Sequence, residues 1–233
     1  MAGLTVACMA SYCTSGRDEV KWGNDEYGAA AFKQAIKGDR VGGTQSVYVV
    51  NGWRHLSEQT KALASDWFAE MASHFLATTS FGPTQAGPLV FIPFPGSKIA
   101  VGVSHPPFSP YTLAMKLSAS LAQHRQASQV VDVLRWDQPR PSTREPGGSR
   151  DPEDLYPHLV VTGPVPQGRV ILVDDVCTGG GHLRAAVTRL KDHGVHVEHA
   201  LCAVKAESNP QQDYFKPTLH TYPDFVPGEG FLF

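Results

Sequence analysis

Residues 169–194 read RVILVDDVCTGGGHLRAAVTRLKDHG, and the fold class follows from how this stretch changes character along its length. Val170, Ile171, Leu172 and Val173 form a continuous apolar run, the pattern of a strand buried on both faces. Asp174 and Asp175 stand where that strand ends, and Cys177-Thr178-Gly179-Gly180-Gly181 turns the chain. An amphipathic helix follows with Leu183, Ala186, Val187 and Leu190 on its apolar side, and Gly194 supplies the C-terminal stop. A glycine-rich turn between strand and helix leaves N–H groups exposed at the positive end of a helix dipole, an anion site suited to phosphate. No lysine of a Walker loop is present, and a dinucleotide fingerprint does not usually carry two acids just ahead of it. Paired acids beside a phosphate cup suit a sugar phosphate, whose hydroxyls donate to the carboxylates while the cup holds the phosphate.

Working outward, residues 87–93 (GPLVFIP) predict another buried strand, ending in the loop Phe94-Pro95-Gly96-Ser97-Lys98. Ser109-Pro110 opens a helix with Leu113, Leu117 and Leu121 on its buried edge. QVVDVL (129–134) predicts the next strand. Beyond it lies a Pro-, Gly- and Arg-rich excursion at about 136–157, before a short strand at 158–161. VHVEHALCAV (195–204) predicts a further buried strand; alternation puts His196 and Glu198 on one face and His199 on the other, which argues against a shared metal.

Nearer the N-terminus, LTVACMASYC reads as a strand, and a helix capped by Asn24 or Asp25 runs to about Lys37 with Gly38 as its stop. SVYVVNGW, from Ser46, predicts one strand. A helix capped by Ser57 places Leu63, Trp67, Met71 and Phe75 on a core face. Polar and aromatic residues alternate after Lys205.

A net charge of −2 supplies no overall basic field to recruit nucleic acid, and no run of about 18 apolar residues predicts a membrane span. Cys8, Cys13, Cys177 and Cys202 lack C-x-x-C spacing, so free thiols in a reducing, cytoplasmic setting are expected rather than a zinc ribbon. The opening residues have neither the basic region nor the long apolar core of a signal peptide.

The stretch ILVDDVCTGGGH resembles the 5-phosphoribosyl-diphosphate (PRPP) signature of type I phosphoribosyltransferases, matching at 171–173, Asp174, Asp175, Val176, Thr178 and Gly180. From Phe91 onward the order of PFPGSK, a Ser-Pro helix, a strand, a basic excursion and the acid-pair strand looks most like the competence-protein-F (ComF-like) branch. That resemblance covers roughly 88–205. It departs at His182, where the family usually has Thr or Ser. It departs again in the excursion, where the branch's Gln…Arg…Arg-x-x-Asn pattern is reduced to Gln138 and Arg144, and in 1–80, which hold no cysteine-rich zinc module.

The resemblance implies an α/β fold: a parallel-sheet, Rossmann-like core at 81–205 with a lid at about 136–157. N-terminal strand and helix elements (1–80) would pack on that core, and 206–233 would form a small C-terminal cap or tail, with 214–233 facing the substrate. It implies transfer of the phosphoribosyl group of PRPP to a base or amine with release of diphosphate and help from Mg²⁺, the pentosyl-transfer class of glycosyltransferase. By that reading Asp174 and Asp175 are catalytic. Val176, Cys177, Thr178, Gly179, Gly180, Gly181 and His182 hold the 5′-phosphate. Pro95, Gly96, Ser97 and Lys98 hold diphosphate, and Arg135, Arg140, Arg144 and Arg150 are lid cations. Mg²⁺ would be bound through PRPP and water, not directly by the protein. A homodimer is the family-based expectation. The alternative is a PRPP- or nucleotide-binding sensor or assembly module that has kept the cup without turnover.

Overall fold

A computed structural model describes residues 3–15, 22–81, 87–143 and 145–228. Ten strands and five helices follow in the order β1 (Leu4–Cys13), α1 (Asn24–Ile36), β2 (Gln45–Val49), β3 (Gly52–Leu56), α2 (Ala64–Thr78), β4 (Leu89–Pro93), α3 (Ser109–Gln123), β5 (Ser128–Val130), β6 (Leu134–Trp136), α4 (Pro152–Leu155), β7 (Leu159–Val161), β8 (Arg169–Cys177), α5 (Gly181–Asp192), β9 (Val197–Glu207) and β10 (Thr218–Tyr222) among the described residues.

The central sheet has the order β10-β1-β9-β8-β4-β5, parallel throughout except where β10 runs antiparallel to β1. The sheet is therefore α/β and mostly parallel. β4 is followed on one side by β5 and on the other by β8, so the direction of winding reverses between β4 and β8. A crevice at the carboxyl ends of two such strands is the usual ligand position in open α/β sheets.

Alternation along the middle strands explains why both faces are covered. Leu89 and Phe91 of β4, with Ile171 and Val173 of β8, pack into the core shared with α1, α2 and α3. Val90 and Ile92, with Val170 and Leu172, pack into the core shared with α5 and the β6–β7 hairpin. β4 stops part-way along β8: Pro93 pairs with Val173, the Phe94 N–H donates to the Val173 carbonyl at 2.8 Å, and β8 runs on through the acid pair to Cys177 against β9. The β4 loop therefore leaves the sheet next to Asp174 and Asp175, and the β8 turn opens beyond Cys177.

Several elements differ from the sequence reading. SVYVVNGW is not one strand but the crossing of a hairpin, with Val49 paired to Gly52 and Val50 at φ 40° in the turn. QVVDVL splits into β5 and β6. Val131 donates to the Phe91 carbonyl, after which the chain leaves the central sheet and Leu134 pairs with Val161 of β7. Leu63 is exposed in a turn before α2, while Trp67, Met71 and Phe75 are buried as expected. Ser57 does not cap α2; its N–H is held by Thr60 Oγ1. α1 is capped at Gly23, whose N–H donates to Glu26 Oε2 at 2.9 Å. The N-terminal elements do more than pack on a core, since β1 is inserted between β9 and β10.

Leu172 is fully buried at the centre of β8, whereas Leu219 of β10 is 57% exposed. Leu172→Ala is expected to lower unfolding free energy by about 2–5 kcal/mol through the cavity it leaves, and Leu219→Ala to change it by less than about 0.5 kcal/mol. Urea denaturation of the two variants beside the parent checks this.

Candidate functional site

A cleft of about 220 Å³ opens at the carboxyl ends of β4 and β8. Phe94, Pro95, Gly96 and Ser97 line it from the β4 loop; Asp174, Asp175, Val176, Thr178 and His182 line it from β8 and its turn. Arg140 and Arg150 come from the excursion between β6 and β7, and Lys37 from the end of α1. The candidates separated by long stretches of sequence therefore meet where the winding reverses.

Turn geometry leaves main-chain donors open at the start of α5. Gly180 precedes α5 at φ 76°, in the left-handed region where a side chain is strained, and no side chain caps the helix. A Cβ at Gly180 would lie 2.9 Å from the Tyr222 ring, and one at Gly181 would lie 1.9 Å from the Arg150 carbonyl oxygen, so both positions require glycine. Among the described residues, no protein acceptor takes the N–H groups of residues 178–183. Those donors and the dipole behind them form a positive concavity.

The acid pair is asymmetric. Asp174 is buried, and its Oδ1 accepts from the Asp175 N–H at 2.7 Å. Burial, followed by the neighbouring Asp175 charge, holds its carboxyl well above the usual carboxylate range. It has no ion-pair partner among the described residues. Asp175 instead meets Lys37, with Nζ at 3.3 and 3.2 Å from its two carboxylate oxygens. Lys37 is placed by the end of α1: Gly38 at φ 77° stops the helix, and Ser109 Oγ donates to the Ile36 carbonyl at 2.8 Å, tying α1 to the start of α3.

His182 packs edge-to-face against Phe94, ring centroids 5.2 Å apart. Burial first, and then the Arg150 charge, push its pKa down to about 4. The ring is thus neutral at pH 7 and offers a single N–H donor.

The excursion lies across both loops. The Arg140 N–H donates to the Ser97 carbonyl at 2.7 Å, and Lys98 Nζ reaches the Arg140 carbonyl at 3.4 Å. Arg150 presses its carbonyl on Gly181. Of the four excursion arginines, Arg140 and Arg150 line the cleft, and Arg144 lies outside the described residues. Arg135 does not reach it: both terminal nitrogens of its guanidinium are held by Asp132, at 2.5 and 2.8 Å. Lys98, turned to Arg140, does not line the cleft either, nor do Cys177, Gly179, Gly180 and Gly181. Among the described residues of the C-terminal region, 206–228, none lines the cleft, and 229–233 lie outside the described residues. That region's strand pairs with β1, and Tyr222 sits behind the turn with its hydroxyl on the Thr178 carbonyl at 3.3 Å.

Sequence reasoning missed Lys37, which carries no local signal beyond the helix stop next to it. It also missed the wall residues Tyr12, which reads only as part of a strand, and Trp136, which falls at the start of the excursion.

The low His182 pKa makes a pH prediction. The unfolded chain takes up a proton near pH 6.5 that the folded chain refuses until about pH 4, so this residue's contribution to stability falls as pH drops through that window. The full loss is about 3 kcal/mol. In denaturant titrations, His182→Gln is expected to lose about that much less than the parent between pH 7 and pH 4, a difference that cancels the other titrating groups.

Scanned against protein-family models and against curated proteins, the chain matches none.

Proposed function

We propose that this cleft binds PRPP and that the chain, with Mg²⁺, transfers the phosphoribosyl group to a base or amine and releases diphosphate. One observation carries the reading: an acid pair, the cations Lys37, Arg140 and Arg150, and Thr178 and His182 of a turn whose N–H groups have no acceptor among the described residues line one cleft at the point where the sheet reverses. A ligand that answers all three must carry hydroxyls and more than one phosphate.

In this reading the turn at 178–182 receives the 5′-phosphate, with the His182 N–H as an additional donor. Asp174 and Asp175 accept from the ribose hydroxyls. A raised pKa favours a protonated Asp174 in the free protein, so binding of a hydroxyl donor goes with loss of that proton. Asp175 has to exchange its Lys37 contact for the sugar, which frees Lys37 to face phosphate oxygens. Arg140 and Arg150 flank the diphosphate from the excursion. The bond from the anomeric carbon to diphosphate breaks with its electron pair leaving on diphosphate, and the acceptor nitrogen supplies the pair for the new bond. Positioning and preorganised charge supply the rate in such a reaction, without a covalent nucleophile.

Carboxylate and hydroxyl oxygens on the cleft wall fit a hard, hydrated cation that arrives with its ligand. When bound with diphosphate, Mg²⁺ would neutralise the leaving group. At about 220 Å³ the cleft is smaller than the roughly 300–1,000 Å³ of typical ligand pockets. The excursion therefore has to lift from Ser97 or Gly181 to admit a sugar diphosphate, and its return would exclude water from a hydrolysable sugar cation.

A second reading, a PRPP- or nucleotide-binding sensor without turnover, is favoured by Lys98 and Arg135. Both were assigned to diphosphate, and both are engaged elsewhere. Calorimetric titration with PRPP and Mg²⁺, beside diphosphate release over a panel of bases and amines, separates the two. Binding with release is expected; binding alone supports the sensor, and no binding overturns both. Asp174→Asn combined with Asp175→Asn is expected to weaken PRPP binding more than about 100-fold, the loss of two charge-assisted hydrogen bonds, with the far-ultraviolet dichroism unchanged.

A further inference from the structure

Directly behind the glycine turn, on the face of the sheet covered by α5, three cysteines converge from three adjacent parallel strands. Cys8 of β1 pairs in register with Cys202 of β9, and Cys177 ends β8, the next strand over. All three are buried free thiols, and their Sγ atoms lie within 4.8 Å of one another. Cys13, the remaining cysteine, stands apart and directs its thiol to the Ser208 carbonyl. The sequence showed no metal spacing because the ligands are brought together by strand pairing alone.

We propose that Cys8, Cys177 and Cys202 form a binding site for a thiophilic divalent ion of the zinc class. Tetrahedral zinc with Zn–S bonds of about 2.3 Å places its sulfurs about 3.8 Å apart. The cluster reaches that spacing by shifts of an ångström or less. The Tyr222 hydroxyl, 3.3 Å from Cys177 Sγ, is the neighbouring oxygen that completes a fourth position. Charge selects the ion. Lys205, buried on β9 and paired in register with Cys177, adds one positive charge beside the cluster. Three thiolates, a divalent ion and one ammonium leave no net charge to bury. A monovalent ion would leave an uncompensated negative charge in an apolar core. Soft sulfur donors disfavour magnesium and calcium in the same place.

Such an ion would fasten the base of the turn. Cys177 immediately precedes Thr178, and the Thr178 carbonyl already accepts from Lys205 Nζ at 2.8 Å and from the Tyr222 hydroxyl. Binding there would lock the junction from which the N–H groups of the cup project, whatever anion the cup takes.

The test uses the full chain, reduced and stripped by chelator, titrated with Cd²⁺ as a spectroscopic probe and with Zn²⁺ in competition. One equivalent should bind, with the ultraviolet thiolate-to-cadmium band of three sulfurs. Cys8→Ala, Cys177→Ala and Cys202→Ala should each weaken binding more than about 100-fold, beyond the loss typical of an outer-shell change, while Cys13→Ala leaves it unaltered. Absence of saturable binding, or binding that survives Cys202→Ala, overturns the proposal. If the alanine variants do not fold, X-ray absorption of the zinc-loaded parent decides: three sulfurs at about 2.3 Å support the site, and fewer overturn it.

Discussion

The constraint on which the rest depends is the burial of β8 on both faces while charge is delivered at its end. Val170 and Leu172 fill one core, Ile171 and Val173 the other, so a slip by one residue would send each set into a core packed to fit the other and carry the acids off their place. That fixed register sets where Asp174 and Asp175 emerge. Because Pro93, the last residue of β4, is paired with Val173, the same register sets the separation between the acid pair and the loop at 95–97. Precision at the cleft is inherited from packing far below it.

The acids are held in a state that a ligand can improve. Asp174 is buried with one main-chain donor and, among the described residues, no ion-pair partner, a costly position for a carboxylate. Asp175 is satisfied by Lys37, but this ion pair is partly exposed and of modest value. The amides at the start of α5 likewise have no acceptor among the described residues. Taken singly, each of these is a local defect of the fold. Taken together they are complementary to a molecule bearing hydroxyls beside a phosphate, which is the kind of conflict between local rules and global fold expected at functional sites.

What was legible in the sequence was local. The strand, acid pair, glycine turn and α5 are contiguous, and each residue type is dictated by its neighbours in the chain, so their order could be read directly. The insertion of β1 between β9 and β10 was not legible, because a strand's partners are set by long-range pairing that leaves no periodic mark. The β2–β3 hairpin did leave a mark, the Asn51-Gly52 dipeptide, an established hairpin signal. The β-branched run at Val47, Val49 and Val50 drew the reading toward a single strand. Lys37 and the thiol cluster share one reason for being missed: their chemistry exists only after α1 docks and after β1, β8 and β9 align. Arg135 shows the opposite error. It has the right residue type in the right segment, but Asp132, three residues earlier, claims it.

The two sides of the cleft are built differently, and the difference bears on how it would work. On the β8 side the turn is braced from behind by both ends of the described chain: β1 contributes Cys8 and β10 contributes Tyr222. Beyond β10, the Pro223 and Phe225 carbonyls accept from Arg184 and Thr188 of α5, at 2.8 Å each. These contacts fix the helix start against the sheet, so its donors need no rearrangement when an anion arrives. On the other side, the segment from Asp137 to Asp151 meets the loops mainly through Arg140, Lys98 and the Arg150 carbonyl, and much of it is exposed. A braced cup opposite a lightly fastened basic strap suits a sequence in which phosphate is gripped first and the strap closes second. The reverse order would require the strap's cations to gather a polyanion before the acid pair had oriented its sugar, and Arg140, already stacked over Trp136 at 5.9 Å and bonded to Ser97, is poorly placed for that.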